Sequence, residues 1–438
     1  MTAIDDLNKG WTIKRFEELF AEPQRNGIYK TKEFHGRGQK IINMGELFGY
    51  DFISGQEMKR VELTPKELEK SLVKDGDLLF ARRSLVLEGS GKCSLVVRPS
   101  EDTTFESSII RTRLNKNEAE PKFYYYLFRS PLGRALMSSI ATQTAVSGIT
   151  GSNLVQLRVP HPPLLIQRKI AAILSAYDDL IENNTRRIEI LEEMARSIYC
   201  EWFVKFRFPG HEQVQMVDSE LGLIPEGWEV KQLDDIVLEI IDYRGKTPKK
   251  LGGDWSESGI LAISAKNIKQ GKLINLDKSN CVDEALYKKW MKSELKQGDI
   301  LMTSEAPLGE LYYLVKHHKF CLSQRVYSIR ANPDIIHPPI LFSALYSPLI
   351  QEQIYARQSG TTVLGIRQTE LRKVAVIVPL MELQLSAARM LNNFFNAIET
   401  LQVKNDNLRK TRDLLLPRLI SGEIDVENLD INTGEIAA

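Results

Sequence analysis

One long repeat constrains this chain more than any other feature. Gly10-Trp11 recurs as Gly227-Trp228, 217 residues further on. The same offset carries Ser130-Pro131-Leu132 onto Ser347-Pro348-Leu349, and Val146, Gly148 and Ile149 onto Val363, Gly365 and Ile366. It continues from Leu154 to Leu371, Pro162 to Pro379, Gln167 to Gln384 and Leu191 to Leu408. Lys74-Asp75-Gly76-Asp77 meets Lys296-Gln297-Gly298-Asp299 at an offset of 222, so the second copy holds five more residues before this turn and five fewer after it. A single period with compensating insertions marks a duplication. A duplicated chain of 438 residues is expected to form two similar domains rather than one core.

Each copy changes period part-way. Short apolar runs at Asp77–Phe80, Leu95–Val97, Ile109–Leu114 and Val155–Val159, bounded by Gly, Pro and Asp, read as strands, with a helix over 121–139. The second copy repeats this from Ile300 to Val378, giving α+β domains with a mixed sheet. From Ile166 the spacing becomes three-four through Ile170, Ile173, Tyr177, Leu180, Ile188, Leu191, Met194 and Ile198. Its counterpart runs through Leu383, Met390, Phe394, Leu401, Leu408 and Leu415, with Pro417 expected to end it. Such a stripe of about forty residues spans roughly 60 Å at about 1.5 Å per residue, longer than a domain of this size. The two helices are therefore expected to pair as an antiparallel coiled coil with a pseudo-two-fold axis, Asn184 and Lys404 helping to fix register. The expected boundaries are 1–163 for the first domain, 164–208 for a central helix and 209–226 for a linker, then 227–380 for the second domain, 381–423 for a distal helix and 424–438 for a tail.

Composition excludes more than it selects. With 43% apolar and 26% charged residues the chain reads as an ordinary globular protein. The opening MTAIDDLNKGW lacks a secretory layout, so a cytoplasmic location is expected and no membrane partner. The four cysteines and six histidines are scattered without ligand spacing, which predicts no metal site and no cofactor. Glu88–Cys93 resembles a phosphate loop only faintly, since Val86 and Cys93 stand at required Gly and Ser/Thr positions, and a turn is expected instead. Asp283, Glu294 and Lys296 fit a loose nuclease spacing that any charged helix could show. No catalytic residue is assigned.

Two like domains on a rigid spacer suit a ligand with two sites at fixed separation, and duplex DNA is the natural candidate. Each copy has loops mixing basic and small polar residues, the types that contact phosphates and base edges. Copy one offers Arg82, Arg83 and Ser84 with Thr142, Gln143 and Thr144. Copy two offers Lys266, Asn267, Thr303, Ser304, Gln358, Thr361, Thr362 and Arg367. On the helices, Ile173, Tyr177, Leu180, Leu191, Phe394, Leu401 and Leu408 are candidates for partner binding. An adaptor whose paired helices hold other proteins, its domains binding something besides DNA, remains the alternative.

The pattern resembles the specificity subunits of type I restriction-modification systems across essentially the whole chain. The Gly-Trp openings, the Gly-Asp turns, Gly360–Ile366, Pro162–Ala171 and the closing LLLPRLISGEI of Leu414–Ile424 carry the likeness. The resemblance implies two target recognition domains, each reading half of a bipartite asymmetric DNA sequence, with helix length setting the spacer. It implies docking of two adenine-methylating modification subunits, which bind S-adenosylmethionine, and of restriction subunits with translocase and nuclease activity. It also implies a subunit that is itself non-catalytic. Gln143–Gly151 lacks the Gly-Thr-Thr form, and Met381-Glu382 replaces Leu164-Leu165, so the two half-sites should differ.

Overall fold

The computed structural model describes residues 10–84, 86, 89–142, 147–360 and 362–433. The chain divides into two compact units: residues up to Asn183 with those from Asn405 onward, and Asn184–Lys404. Both long helices are cut by this division, so each unit holds half of each. The central helix runs Leu164–Tyr199 and the distal helix Met381–Ile420. Among the described residues no helix is long and apolar enough to cross a membrane.

In unit 1 a mixed five-stranded sheet has the order Phe20–Asn26, Ile109–Leu114, Leu78–Ala81, Cys93–Val96, Phe52–Ile53, with only the last pair parallel. Helices Pro121–Arg129 and Pro131–Ile140 cover it, closing a core of Phe16, Phe80, Phe123, Tyr124 and Phe128. The single helix expected over 121–139 is thus two. Pro131 lacks the N–H a continuous helix needs, and Ser130 caps the second segment through Gly133 N. Val155–Val159 also departs from expectation, since Gly151–Val155 is helical and the strand is Arg158–His161. Unit 2 repeats four of these strands, here all antiparallel, in the order Val237–Asp242, Val326–Ala331, Ile300–Thr303, Leu311–Tyr313.

Three devices recur in both units at equivalent residues. Thr12 pairs with His161 and Glu229 with Val378, tying the strand after each Gly-Trp to the strand that feeds the long helix. At each helix start a wholly buried glutamine is satisfied on both amide atoms. Gln167 accepts from Glu120 N at 2.8 Å and donates to Pro162 O at 2.8 Å; Gln384 accepts from His337 N at 2.9 Å and donates to Pro379 O at 2.8 Å. A buried amide left unpaired is costly, so the glutamine fixes the helix start. In the Gly-Asp turns, Asp77 accepts from Lys74 N and Asp299 from Lys296 N, and each carboxylate takes both prongs of an arginine, Arg113 or Arg330, at 2.7–2.8 Å.

Within each unit the helix halves run antiparallel. In unit 1, Asn405 donates to Ile181 O, Arg412 pairs with Asp178, and Leu416, Leu419 and Ile420 share a core with Ile170 and Leu174. In unit 2, Ile188 packs with Ile398 and Leu401. Two expectations are corrected here. The distal helix continues through Pro417 to Ile420, because its last turn is buried in the unit 1 core. Lys404 is exposed, and the neighbouring Asn405 occupies the buried polar position instead.

Candidate nucleic-acid interface

In unit 1 the central strand leaves the sheet at Ala81, and Arg82 N donates to Ser108 O at 2.8 Å. Arg83-Ser84 then pairs antiparallel with Ser147-Gly148, while Ile149 N donates to Arg82 O at 3.0 Å. On its other side Gly148 exchanges backbone hydrogen bonds with Thr142, whose hydroxyl also donates to Gly148 O at 3.2 Å. The glycine is held between two chain segments, and a Cβ there would lie 2.9 Å from Arg82 O. Arg82, Arg83, Ser84 and Thr142 are therefore brought together, Arg83 and Thr142 exposed and the other two half-buried. Gln143 and Thr144 lie outside the described residues. The Ser90–Cys93 stretch is a turn entering the strand Cys93–Val96.

Unit 2 builds the same frame. Ser304 N donates to Arg325 O at 2.9 Å, Ile366 N donates to Ser304 O at 3.0 Å, and Gly365 bridges to both Glu305 and Ser359. A Cβ on Gly365 would lie 2.8 Å from Ser304 O. Gln358, Thr362 and Arg367 are exposed around this loop; Thr361 lies outside the described residues. Lys266 is exposed and lines a cavity of about 370 Å³ with Arg325, Trp255 and Trp290.

The backbone frames match while their charges differ. The repeat sets Glu305 where unit 1 has Arg83, and Arg325 where unit 1 has Ser108. Glu305 and Arg325 pair at 2.9 Å, and Arg244 stacks over the Tyr327 ring at 4.8 Å. Arg325 adopts φ +66, a conformation unusual for a side-chain-bearing residue. Neither Arg244 nor Arg325 belongs to the set picked from sequence. The clue was their closeness in sequence to strand ends, which only topology turns into a common surface.

Three candidates are corrected. Asn267 is wholly buried, its amide donating to Ile274 O and Ser279 Oγ and accepting from Ser264 N, so it closes its own loop. Thr303 and Ser304 are buried as well; Thr303 Oγ1 accepts from Glu310 N, and Ser304 serves the frame through its backbone. None of the three exposes its side chain at the surface. On the helices, Ile173 and Phe394 pack on their units' cores, and Leu191 joins Leu401 in the small helix-pair core. Tyr177 and Leu408 are half-buried, and Leu180 is exposed, as is Met194 of the same stripe; Leu165, Ile190, Val403 and Leu414, which sequence reasoning did not select, are exposed as well.

The loose nuclease set has structural duties. Asp283 caps the helix Glu284–Trp290 by accepting from Leu286 N at 2.7 Å, and the Glu294 carbonyl accepts from Arg330. Among the described residues no group of three or more His, Cys, Asp or Glu is placed to hold a metal ion.

A family model described as the type I restriction modification DNA specificity domain matches twice, over residues 8–193 and 225–410. The specificity subunit of the type I restriction enzyme MjaIX from Methanocaldococcus jannaschii is 26% identical over 432 residues, covering 98% of this chain and 96% of its own. The putative MjaX specificity subunit of the same organism is 24% identical over 429 residues, with coverages of 97% and 96%. The crystal structure of the S subunit of a type I restriction-modification system from M. genitalium aligns with a TM-score of 0.61 at 16% identity, covering 96% of this chain and 98% of that one.

Proposed function

The chain belongs to the type I restriction-modification DNA specificity family, and from that premise we propose that it reads a bipartite, asymmetric DNA sequence, one half with each unit. The observation carrying this reading is the glycine-centred frame around Gly148 and Gly365, which is the same in both units while the side chains it presents differ. A common frame puts both units on DNA in like manner, and Arg83 and Thr142 against Glu305 and Arg325 make the two halves different. Basic residues would hold phosphates, and exposed Gln358 and Thr362 would reach base edges. The paired helices would set the spacer and hold the modification subunits, and restriction subunits would join the assembly. The chain would supply specificity and leave methyl transfer and cleavage to those partners. Mapping methylated adenines in cells carrying this chain with its modification subunit tests the reading. A two-part motif with a fixed unspecified spacer is expected; a continuous palindrome would refute it.

A further inference from the structure

Unit 1 carries a buried polar triad for which unit 2 has no equivalent. Tyr126 Oη donates to Asp178 Oδ2 at 2.6 Å, and the guanidinium of Arg412, from the distal helix, pairs with the same carboxylate. The side chains of Asp178 and Arg412 are 11% and 15% exposed, so the guanidinium fills space inside the unit. The repeat maps Tyr126 onto Ser343, Asp178 onto Phe395 and Arg412 onto Ala195. Two of these replacements remove most of a side chain.

A cavity of about 560 Å³ opens in unit 2 at those residues: Ser343, Phe395 and Ala195 all line it. One wall is aromatic, with Tyr313 5.3 Å from both Phe342 and Phe395, and Phe342 5.9 Å from Tyr346, ring centre to ring centre. Arg196 and Lys205 also line the cavity, but each is paired with a glutamate of its own helix stretch, Glu193 and Glu201. Glu399 lines the same cavity although only 7% exposed. Its Oε1 faces His318 at 3.3 Å and Lys316 at 4.0 Å, while its buried Oε2 has no hydrogen-bond partner. Buried carboxylate oxygens are normally paired, and an orphan one calls for a donor.

We propose that this cavity is a socket for a guanidinium, filled by an arginine side chain of a partner protein. The volume lies in the range of about 300–1,000 Å³ typical of ligand sites. Aromatic faces attract a cation, and a carboxylate is the group a guanidinium pairs with best. Unit 1 shows what belongs in this space, because there the chain supplies its own Arg412. Unit 1 is self-filled and unit 2 is not, so a partner engages the two units differently. This inference goes beyond the DNA reading and does not depend on it.

The test titrates the full chain with the peptide acetyl-Ala-Arg-Ala-amide, followed by saturation-transfer NMR and tyrosine fluorescence. Its neutral citrulline counterpart and agmatine serve as comparisons. Saturable binding of the arginyl peptide is expected, with the citrulline peptide about tenfold weaker, the ratio one lost charge-assisted contact gives. Glu399→Gln should weaken binding about as much, and Ala195→Arg should abolish it by supplying the missing guanidinium in cis. Circular dichroism establishes that each variant is folded; should Glu399→Gln fail this, Ala195→Arg and the citrulline comparison decide. No saturable binding, equal binding of both peptides, or full binding by folded Ala195→Arg would overturn the socket. Binding of agmatine without the peptide would overturn a protein side chain as its occupant.

Discussion

Replacing Asp77 by Ala removes the carboxylate in the turn that leads into the central strand of the unit 1 sheet. Asp77 is wholly buried and accepts three hydrogen bonds, one from Lys74 N and two from Arg113, each at 2.7 Å. The Arg113 side chain is only 16% exposed, so the variant strands a largely buried guanidinium. Breaking a buried pair on one side costs about 3–5 kcal/mol. Glu22 remains 2.9 Å from Arg113 Nη1 and offsets part of the loss, which places the expected cost near the lower end, about 3 kcal/mol. That is about a hundredfold in an opening equilibrium. Hydrogen exchange read by mass spectrometry over Leu78–Ala81 and Ile109–Leu114 should show it, with the unit 2 strand Ile300–Thr303 as internal control. The equivalent Asp299→Ala should reverse the pattern. Exchange unchanged in unit 1, or raised equally in both units, would refute the view that each clamp holds its own sheet.

Other outcomes follow from the same structure. Arg82→Ala with Arg83→Ala should weaken DNA binding; if both contact phosphates, the slope of log affinity against log salt falls by about two, whereas a base contact relaxes specificity at one position. Gly365→Ala should damage reading by unit 2 alone, since the added Cβ meets Ser304 O at 2.8 Å; loss of both half-sites would contradict separate reading. The Lys30 ammonium, at 2.7 Å, together with the Thr64 backbone N–H, holds Glu67 at about 2. The depressed carboxylate stabilises the Pro65–Ser71 helix above the ordinary carboxylate range and loses that contribution as pH falls towards about 2; an NMR midpoint at the ordinary value would contradict it. Inserting four residues in the central helix adds about 6 Å and should lengthen the spacer by about two base pairs; an unchanged spacer would refute a measuring role for the helix.

The duplication and the long helices were legible because repeats and periodicity are written residue by residue. Partners distant in sequence were not. The Gly-Asp turns stood out, yet Arg113 and Arg330 lie 36 and 31 residues from the aspartates they clamp, and nothing local marks them. Asn267, Thr303 and Ser304 were misread because a polar side chain in a turn can face inward and satisfy the backbone as readily as it faces a ligand. The helix stripe identified apolar positions without saying what covers them. Leu401 is covered within unit 2, whereas Leu180 and Met194 lie exposed. The break at Ser130-Pro131 was present in the sequence and carried a recognisable signal.

The central claim is that each unit reads one half of the target. Genome-wide mapping of methylated adenines for the unaltered chain, for Arg83→Ala, and for Glu305→Ala with Arg325→Ala tests it most directly. The account predicts that the first variant relaxes one half of the motif and the second relaxes the other. Relaxation of the same half by both, or of both halves by either, would contradict it.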